Sequence, residues 1–338
     1  GQVGFMGVET ILGFTLDHGI NQKNVPHTPI FLVKVAYGGR DLAIDFRPPS
    51  AGKGNYSDPF HGFAATDSAA HSKTVHGKPV CDYGYRYRSM LQDLQQALHN
   101  IGNVIPGYNN SHVGYHLAGM VWLQGMSDIV DEAKTREYAS NLRHLIRDVR
   151  HDLHAPQLPV VVAEVGNHGT LDMMHRRNRP QDEIQRVEYF RSSVQDLLEQ
   201  KPELEHTTRY VKTAHYAMGF DDAQQPHVSH YDKYFHYYGR PEPYFHIGQQ
   251  LGRALLELLS PATNQKKKNM QSSNKGKQSL NRQQEERKAA RQEHGRQQQS
   301  LSPQKKTTAV LNFSVGPGTM PSLHGTFHLQ DAPIISGP

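Results

Sequence analysis

The chain has 338 residues, which is long enough for one large domain or two ordinary ones. A single cysteine excludes a disulfide framework and a cysteine-rich zinc site, and the lack of an eighteen-residue apolar run excludes a membrane-spanning helix. The net charge of +5 is uneven, because residues 265–306 hold 12 Lys/Arg and 3 Glu and so carry +9. The rest of the chain is mildly acidic at −4, so the basic character belongs to that segment alone.

Four short apolar runs predict the strands of a parallel sheet. They are rich in β-branched residues and span residues 31–37, 118–125, 158–166 and 208–217. Apolar stripes over residues 90–101, 138–153 and 184–198 predict helices between them, and Leu251, Leu255 and Leu256 belong to a last helix. This alternation indicates an α/β domain with helices on both faces of the sheet. Ligands of such sheets bind beyond the carboxyl ends of the strands, so polar residues that follow a strand are site candidates.

The other segments differ in composition. Residues 40–85 have little periodicity and many Gly, Ser, His and Tyr, which predicts an ordered wall of a site. Residues 261–306 are mostly Gln, Lys, Arg and Ser, and we predict that they are disordered because they cannot bury enough apolar surface. We therefore divide the chain into a domain over 1–260, a linker over 261–306, and an unassigned stretch over 307–338. Within the last, TAVLNFSV (308–315) has the composition of a strand, the start of a β-rich segment.

One cluster of polar residues follows the second predicted strand, in VWLQGMSD (121–128). It places Gln124, Ser127 and Asp128 at the carboxyl edge of the sheet. A side-chain amide or hydroxyl beside a glycine N–H can stabilise an oxyanion. The alternative is a structural turn in which Ser127 or Asp128 caps the next helix.

A second cluster precedes the last helix, in HVSHYDKYFHYYG (227–239). It contains His227, His230, Asp232 and His236. An Asp–His pair suits general-base catalysis, because the carboxylate fixes the imidazole tautomer and stabilises the imidazolium. A metal site is an alternative, and so are solvated surface histidines, since a chain with 22 histidines makes any one of them weak evidence.

Four blocks of the sequence stand out together, and they are VKVAYGGRDLAIDFRPPSAG (33–52), VWLQGMSDIVD (121–131), REYASNLRHLIRDVRHDLHAPQLPVVVAEVG (136–166) and FHYYGRPEPYFHIGQQLGRALLELL (235–259). In this order they resemble the sialate O-acetylesterase-like domain of the SGNH hydrolases, a group that includes acetylxylan esterases. The resemblance covers residues 1–260 and implies a three-layer α/β/α, flavodoxin-like fold. It also implies a serine hydrolase that removes acetyl groups from carbohydrates and needs no metal and no organic cofactor.

The resemblance assigns roles to individual residues. It implies that His236 is the catalytic base and that Asp232 is its acidic partner, one residue further from the histidine than the family usually has it. The implied oxyanion-hole residues are Gly39, Gln124, Gly125 and Ser127. Three further residues, implied to form the substrate wall or to be structural, are Glu9, Arg47 and Asp128.

The family nucleophile is a serine directly after the first strand, ahead of the segment that contains Glu9. The first serine of this chain is Ser50. The resemblance therefore implies that the first strand and the nucleophile are absent, either because the chain is a fragment or because it is degenerate. We accordingly expect no acyl-enzyme step from the chain itself, and we note that TAVLNFSV (308–315) could fill the open position in the sheet.

Two other functions remain open from the sequence. One is a catalytically inactive carbohydrate-binding protein, which would keep the aromatic wall and do no chemistry. The other makes the basic segment the functional element, as an electrostatic tether to nucleic acid or another polyanion. The first ten residues lack the basic and apolar regions of a signal peptide, so we expect export to the periplasm or beyond only if a signal peptide precedes Gly1.

Overall fold

The secondary structure is that of an α/β domain. The computed structural model describes residues 7–22, 27–54, 74–75, 78–79, 83–105, 108, 114–217, 237, 240–260 and 306–314. The helices are α1 (Val8–Asn21), α2 (Tyr85–His99), α3 (Met126–Ile129), α4 (Glu132–Asp152), α5 (Leu171–Arg176), α6 (Gln181–Gln200) and α7 (Pro241–Leu259). The strands are β1 (Ile30–Val35), β2 (Thr74–Val75), β3 (Lys78–Pro79), β4 (Gly114–Leu123), β5 (Val160–Ala163), β6 (Thr208–Val211) and β7 (Lys306–Ser314).

All four predicted strands and all four predicted helices are present, with shifted boundaries. The second predicted strand starts earlier, at Gly114, and the fourth ends at Val211 because a 3₁₀ turn, Ala214–Tyr216, follows it. Helix α1 was not predicted. The linker 261–305, and Asp232 and His236 with their loop, lie outside the described residues. Among the described residues, none of the helices combines the length and apolar character that a membrane crossing requires.

The main sheet has five parallel strands in the order β1-β7-β4-β5-β6. A separate antiparallel pair, β2 and β3, comes from the long segment after β1. Side chains alternate between the two faces of the main sheet, as the pleat requires. Trp122 and Val162 face a core formed with α2, α4 and α6, whereas Val121 and Val161 face a second core formed with α1 and α7. The three-layer α/β/α architecture is therefore confirmed.

Two glycines in α7 explain how α1 is held on the sheet. A Cβ at Gly248 would lie 2.4 Å from the carbonyl oxygen of Val8, and a Cβ at Gly252 would lie 2.7 Å from Cβ of Thr15. The two helices can approach this closely only because the side chains are absent. Helix α1 is thus fixed by tertiary packing more than by its own sequence pattern.

The sheet position left open by the resemblance is occupied by β7. Residues Thr308–Phe313 pair with Ile30–Val35 of β1 on one side. On the other side Lys306–Ser314 pair with Gly114–Leu123 of β4, with a register shift between Leu117 and Gly119. Strand β7 is therefore central, and the sheet extends beyond the boundary that we predicted at residue 260.

Candidate functional site

Two glycine turns meet at the carboxyl edge of the sheet, one after β1 and one after β4. Gly39 and Gly125 both have left-handed backbones, with φ of 67° and 145°. A Cβ at Gly125 would lie 2.5 Å from Cγ2 of Val165 and 2.8 Å from Cζ of Phe190. Position 125 therefore requires glycine for its conformation and for its close approach to the loop after β5.

The carboxylate of Asp128 joins these two turns. It accepts hydrogen bonds from the backbone N–H groups of Leu42 and Ala43, each at 3.0 Å, and from Nε2 of Gln124 at 2.7 Å. Nε2 of Gln124 also donates to the carbonyl oxygen of Arg40 at 3.0 Å. Asp128 is fully buried, so these bonds are shielded from water and hold the loops after β1 and β4 in one arrangement.

The electrostatics of Asp128 follow from its burial. Desolvation raises the pKa of Asp128 well above its ordinary value, and the nearby carboxylate of Asp41 raises it further. The hydrogen bonds from Gln124, Leu42 and Ala43 oppose both effects. The carboxylate accepts these bonds from N–H donors of both loops, so Asp128 holds the two loops together.

The helix-cap alternative for the QGMSD turn is wrong. The residue that caps α4 is Asp131, whose side chain accepts a hydrogen bond from the backbone N–H of Lys134 at 2.9 Å. Helix α3 has Gly125 as its N-cap and no side-chain cap. Asp128 instead reaches the loop after β1, so the turn is built to join two loops.

The side chain of Gln124 is committed to the same network. Its amide nitrogen donates hydrogen bonds to Asp128 and to the carbonyl oxygen of Arg40, and its Oε1 accepts one from the hydroxyl of Tyr138 at 3.0 Å. That hydroxyl accepts a hydrogen bond from Nε1 of Trp122 at 3.1 Å. Gln124 and Gly125 are both buried, so the oxyanion-hole candidates that reach the surface are Gly39 and Ser127, which are half-buried.

A second buried charged cluster supports the loop after β1, and the sequence analysis missed it. Nζ of Lys134 lies 2.6 Å from Oδ2 of Asp41, and both side chains are almost fully buried. Asp45 pairs with Arg40 at 3.5 Å. Burial, together with the charge of Asp41, raises the pKa of Asp45 to about 6. The sequence did contain a signal for this cluster. Lys134 lies four residues before Tyr138, on the apolar stripe of α4, and a lysine at such a position is expected to pair with a buried carboxylate.

Arg47 is held by the protein itself. Its guanidinium donates to the carbonyl oxygens of Gly52 at 2.7 Å and Ala43 at 2.9 Å, and it contacts Glu137 at 3.2 Å. With 6% of the residue exposed, Arg47 fits the structural role among the two that the resemblance allowed.

Glu9 lies in the first turn of α1 and pairs with Lys34 of β1 at 2.7 Å. Its other carboxylate oxygen, Oε2, is buried and accepts no hydrogen bond from the described residues. The ion pair fastens the start of α1 to the carboxyl-terminal half of β1.

The loops after β5 and β6 are joined in a similar way. Oε2 of Glu164 accepts hydrogen bonds from the backbone N–H groups of Thr213 and Ala214, both at 2.7 Å. Tyr237 is buried at the same edge, where its hydroxyl is hydrogen-bonded to Thr213 and burial raises its pKa. Its ring lies 5.4 Å from that of Tyr244 in α7. Tyr237 is therefore anchored at this edge.

Replacing Asp128 by alanine is expected to lower the free energy of unfolding by about 3 kcal/mol, because buried N–H donors lose their acceptor at about 1–3 kcal/mol each. Chemical denaturation measures this loss. The matched control is Asp172→Ala, which removes an exposed carboxylate paired with Arg176 and is expected to cost less than about 1 kcal/mol. Equal losses in the two variants would show that Asp128 does not hold the loops together.

Comparison with known families is consistent with this architecture. The family model described as "carbohydrate esterase, sialic acid-specific acetylesterase" matches residues 6–219, which is more than half of the chain. The chain therefore belongs to this family of carbohydrate esterases. The match includes the turns at Gly39 and Gly125 and ends before Asp232 and His236.

One Arabidopsis thaliana protein is similar to this chain both in sequence and in its solved structure. It is described as a probable carbohydrate esterase and is 34% identical over 56 residues, which cover 17% of this chain and 22% of that protein. The X-ray structure of this same protein aligns with 18% identity and a TM-score of 0.32, over 52% of this chain and 53% of that one. The sequence match thus spans about a fifth of that protein, and the structural match spans about half of it.

Proposed function

We propose that the protein is a carbohydrate O-acetylesterase, a serine hydrolase that releases acetate from acetylated sugars. Family membership supports an esterase of this kind. The observation that carries the proposal is the bridge from Asp128 to Leu42 and Ala43. It fixes two glycine turns at one edge of the sheet, which is where α/β proteins bind their ligands.

In the proposed reaction, a serine hydroxyl attacks the acetyl carbonyl and His236 takes its proton, with Asp232 orienting the imidazole. Backbone N–H groups of Gly39 and of the turn from Gly125 to Ser127 stabilise the oxyanion. The sugar hydroxyl leaves with the proton, and water then releases acetate from the serine.

The assignment of His236 draws support from its neighbour. Tyr237 is the next residue after His236 in the chain. The side chain of Tyr237 is hydrogen-bonded to Thr213, whose backbone N–H donates to Glu164. This anchoring lies at the same edge of the sheet as the two glycine turns. The proposed contact of the basic segment with polyanions rests on its charge alone.

The proposal is tested by measuring acetate release from a fully O-acetylated methyl xyloside and from an O-acetylated sialic acid. Hydrolysis of p-nitrophenyl acetate and p-nitrophenyl octanoate is compared in parallel. We expect acetate from at least one sugar and a kcat/KM for the acetyl ester at least about tenfold above that for the octanoyl ester. A folded protein that binds the sugars without releasing acetate would be a carbohydrate-binding protein instead.

A further inference from the structure

The carboxyl end of β7 lies between the two glycine turns. Ser314, the last residue of β7, pairs with Leu123, the last residue of β4. Phe313 pairs with Val35, the last residue of β1. The backbone of Ser314 is therefore level with the ends of both neighbouring strands, in the centre of the parallel sheet.

The chain on both sides of this position belongs to the candidate site. Gln124 and Gly125 follow directly after β4, and the turn that contains Gly39 follows β1. Because β7 lies between β1 and β4, the contact of Asp128 with Leu42 joins the loops on the two sides of the end of β7. The topology thus brings the backbone of a serine between the two turns that carry the proposed oxyanion donors.

The sequence after Ser314 fits a nucleophile at the end of a strand. It continues Val315-Gly316-Pro317-Gly318, so a glycine follows the serine by two residues. A nucleophile presented by a strand needs a sharp exit of the chain, and glycine at this spacing permits one. The segment 261–305 can span ~3.3 Å per residue, which is ample to connect the end of α7 to the start of β7.

We infer that β7, supplied from the C-terminal side of the domain, presents Ser314 as the nucleophile of the esterase. This rests on the function proposed above. It departs from the expectation that the chain has no nucleophile, which considered only the sequence position of the family serine. Here the sheet position that the resemblance left open is filled by β7, a strand that follows α7 in the chain.

The chemical step is balanced without a cofactor. The Ser314 oxygen forms a bond to the acetyl carbonyl carbon, and its proton passes to His236 as the base. The bond between the acetyl carbon and the sugar oxygen then breaks, and the sugar oxygen takes the proton. Water cleaves the acetyl-Ser314 ester to give acetate and the free serine.

A fluorophosphonate probe, which bonds to activated serines with loss of fluoride, tests the assignment in the full chain. We expect mass spectrometry of the peptides to locate the label on Ser314. We also expect Ser314→Ala to lower kcat for acetate release at least about a thousandfold, with an unchanged melting temperature. Ser192→Ala is the matched control, because Ser192 is exposed on α6, and it should behave as the unaltered chain.

The outcomes separate this inference from the proposed function. Full acetate release by Ser314→Ala, or a label on another serine, would overturn the role of Ser314 and leave the esterase proposal standing. A label on Ser314 without acetate release from any substrate would support Ser314 and overturn the proposed function. Neither label nor activity would overturn both. If Ser314→Ala does not fold, the labelled position in the unaltered chain still decides.

Discussion

Replacing His236 by alanine is expected to lower kcat for acetate release at least about a thousandfold, which is the scale for losing one member of a catalytic triad. The histidine would take the serine proton during attack and return it to the leaving sugar hydroxyl. A proton acceptor acts on the chemical step, so KM should change little. Steady-state kinetics on p-nitrophenyl acetate and on an acetylated sugar measure both constants.

His227→Ala and His230→Ala are the matched controls, because both histidines belong to the same segment, 227–239. Each should retain most of the activity of the unaltered protein. If His230→Ala is instead the damaging change, the catalytic base is His230 and Asp232 is not its partner. An unchanged kcat in all three variants would remove this segment from the catalytic machinery.

Interrupting β7 is expected to cause a large loss of stability. Val310 pairs with Leu32 of β1 and with Gly119 of β4, so it has neighbours on both sides. Proline at this position removes a backbone N–H and strains a central strand, at a cost of about 3 kcal/mol. For a domain of this size the melting temperature should fall by roughly 6–12 °C.

Cutting the chain after Ser260 should have a still larger effect, because β1 would lose its partner in the main sheet. A domain that ends at residue 260, as we predicted from the sequence, would instead keep its melting temperature after this cut. Gln298→Pro is the control, since it places the same residue in the polar linker and should change nothing. A melting temperature of Val310→Pro equal to that of Gln298→Pro would contradict a central position for β7.

The parts of the fold that were predictable from the sequence are those with a local pattern. The run around Val160–Ala163 is apolar on both faces and therefore identified a buried parallel strand. The stripes of α4 and α6 are long and regular, so their existence was clear even though their ends were not. Helix α1 was missed because its apolar stripe is short. Its position depends on a close contact with α7 at Gly248 and Gly252, and the sequence of α1 does not encode that contact.

The organisation of the site depends on contacts between distant residues, and no local pattern encodes these. The bond from Asp128 to Leu42 joins residues 86 positions apart. The sequence marked Gln124 and Asp128 as polar residues after a strand, but it could not show that they bind the loop after β1. The same limit applies to β7, whose composition indicated a strand while its partners, β1 and β4, lie far away along the chain.

The most direct test of the central place of β7 is amide hydrogen exchange of the full chain, followed by mass spectrometry. Amides in the interior of a sheet exchange only when the sheet opens, whereas exposed amides exchange rapidly. If β7 lies between β1 and β4, peptides from 306–314 should be protected to the same degree as peptides from 114–123. Exchange in 306–314 as fast as in the polar stretch 270–300 would show that β7 does not complete the sheet, and Ser314 would then have no structural place in the site.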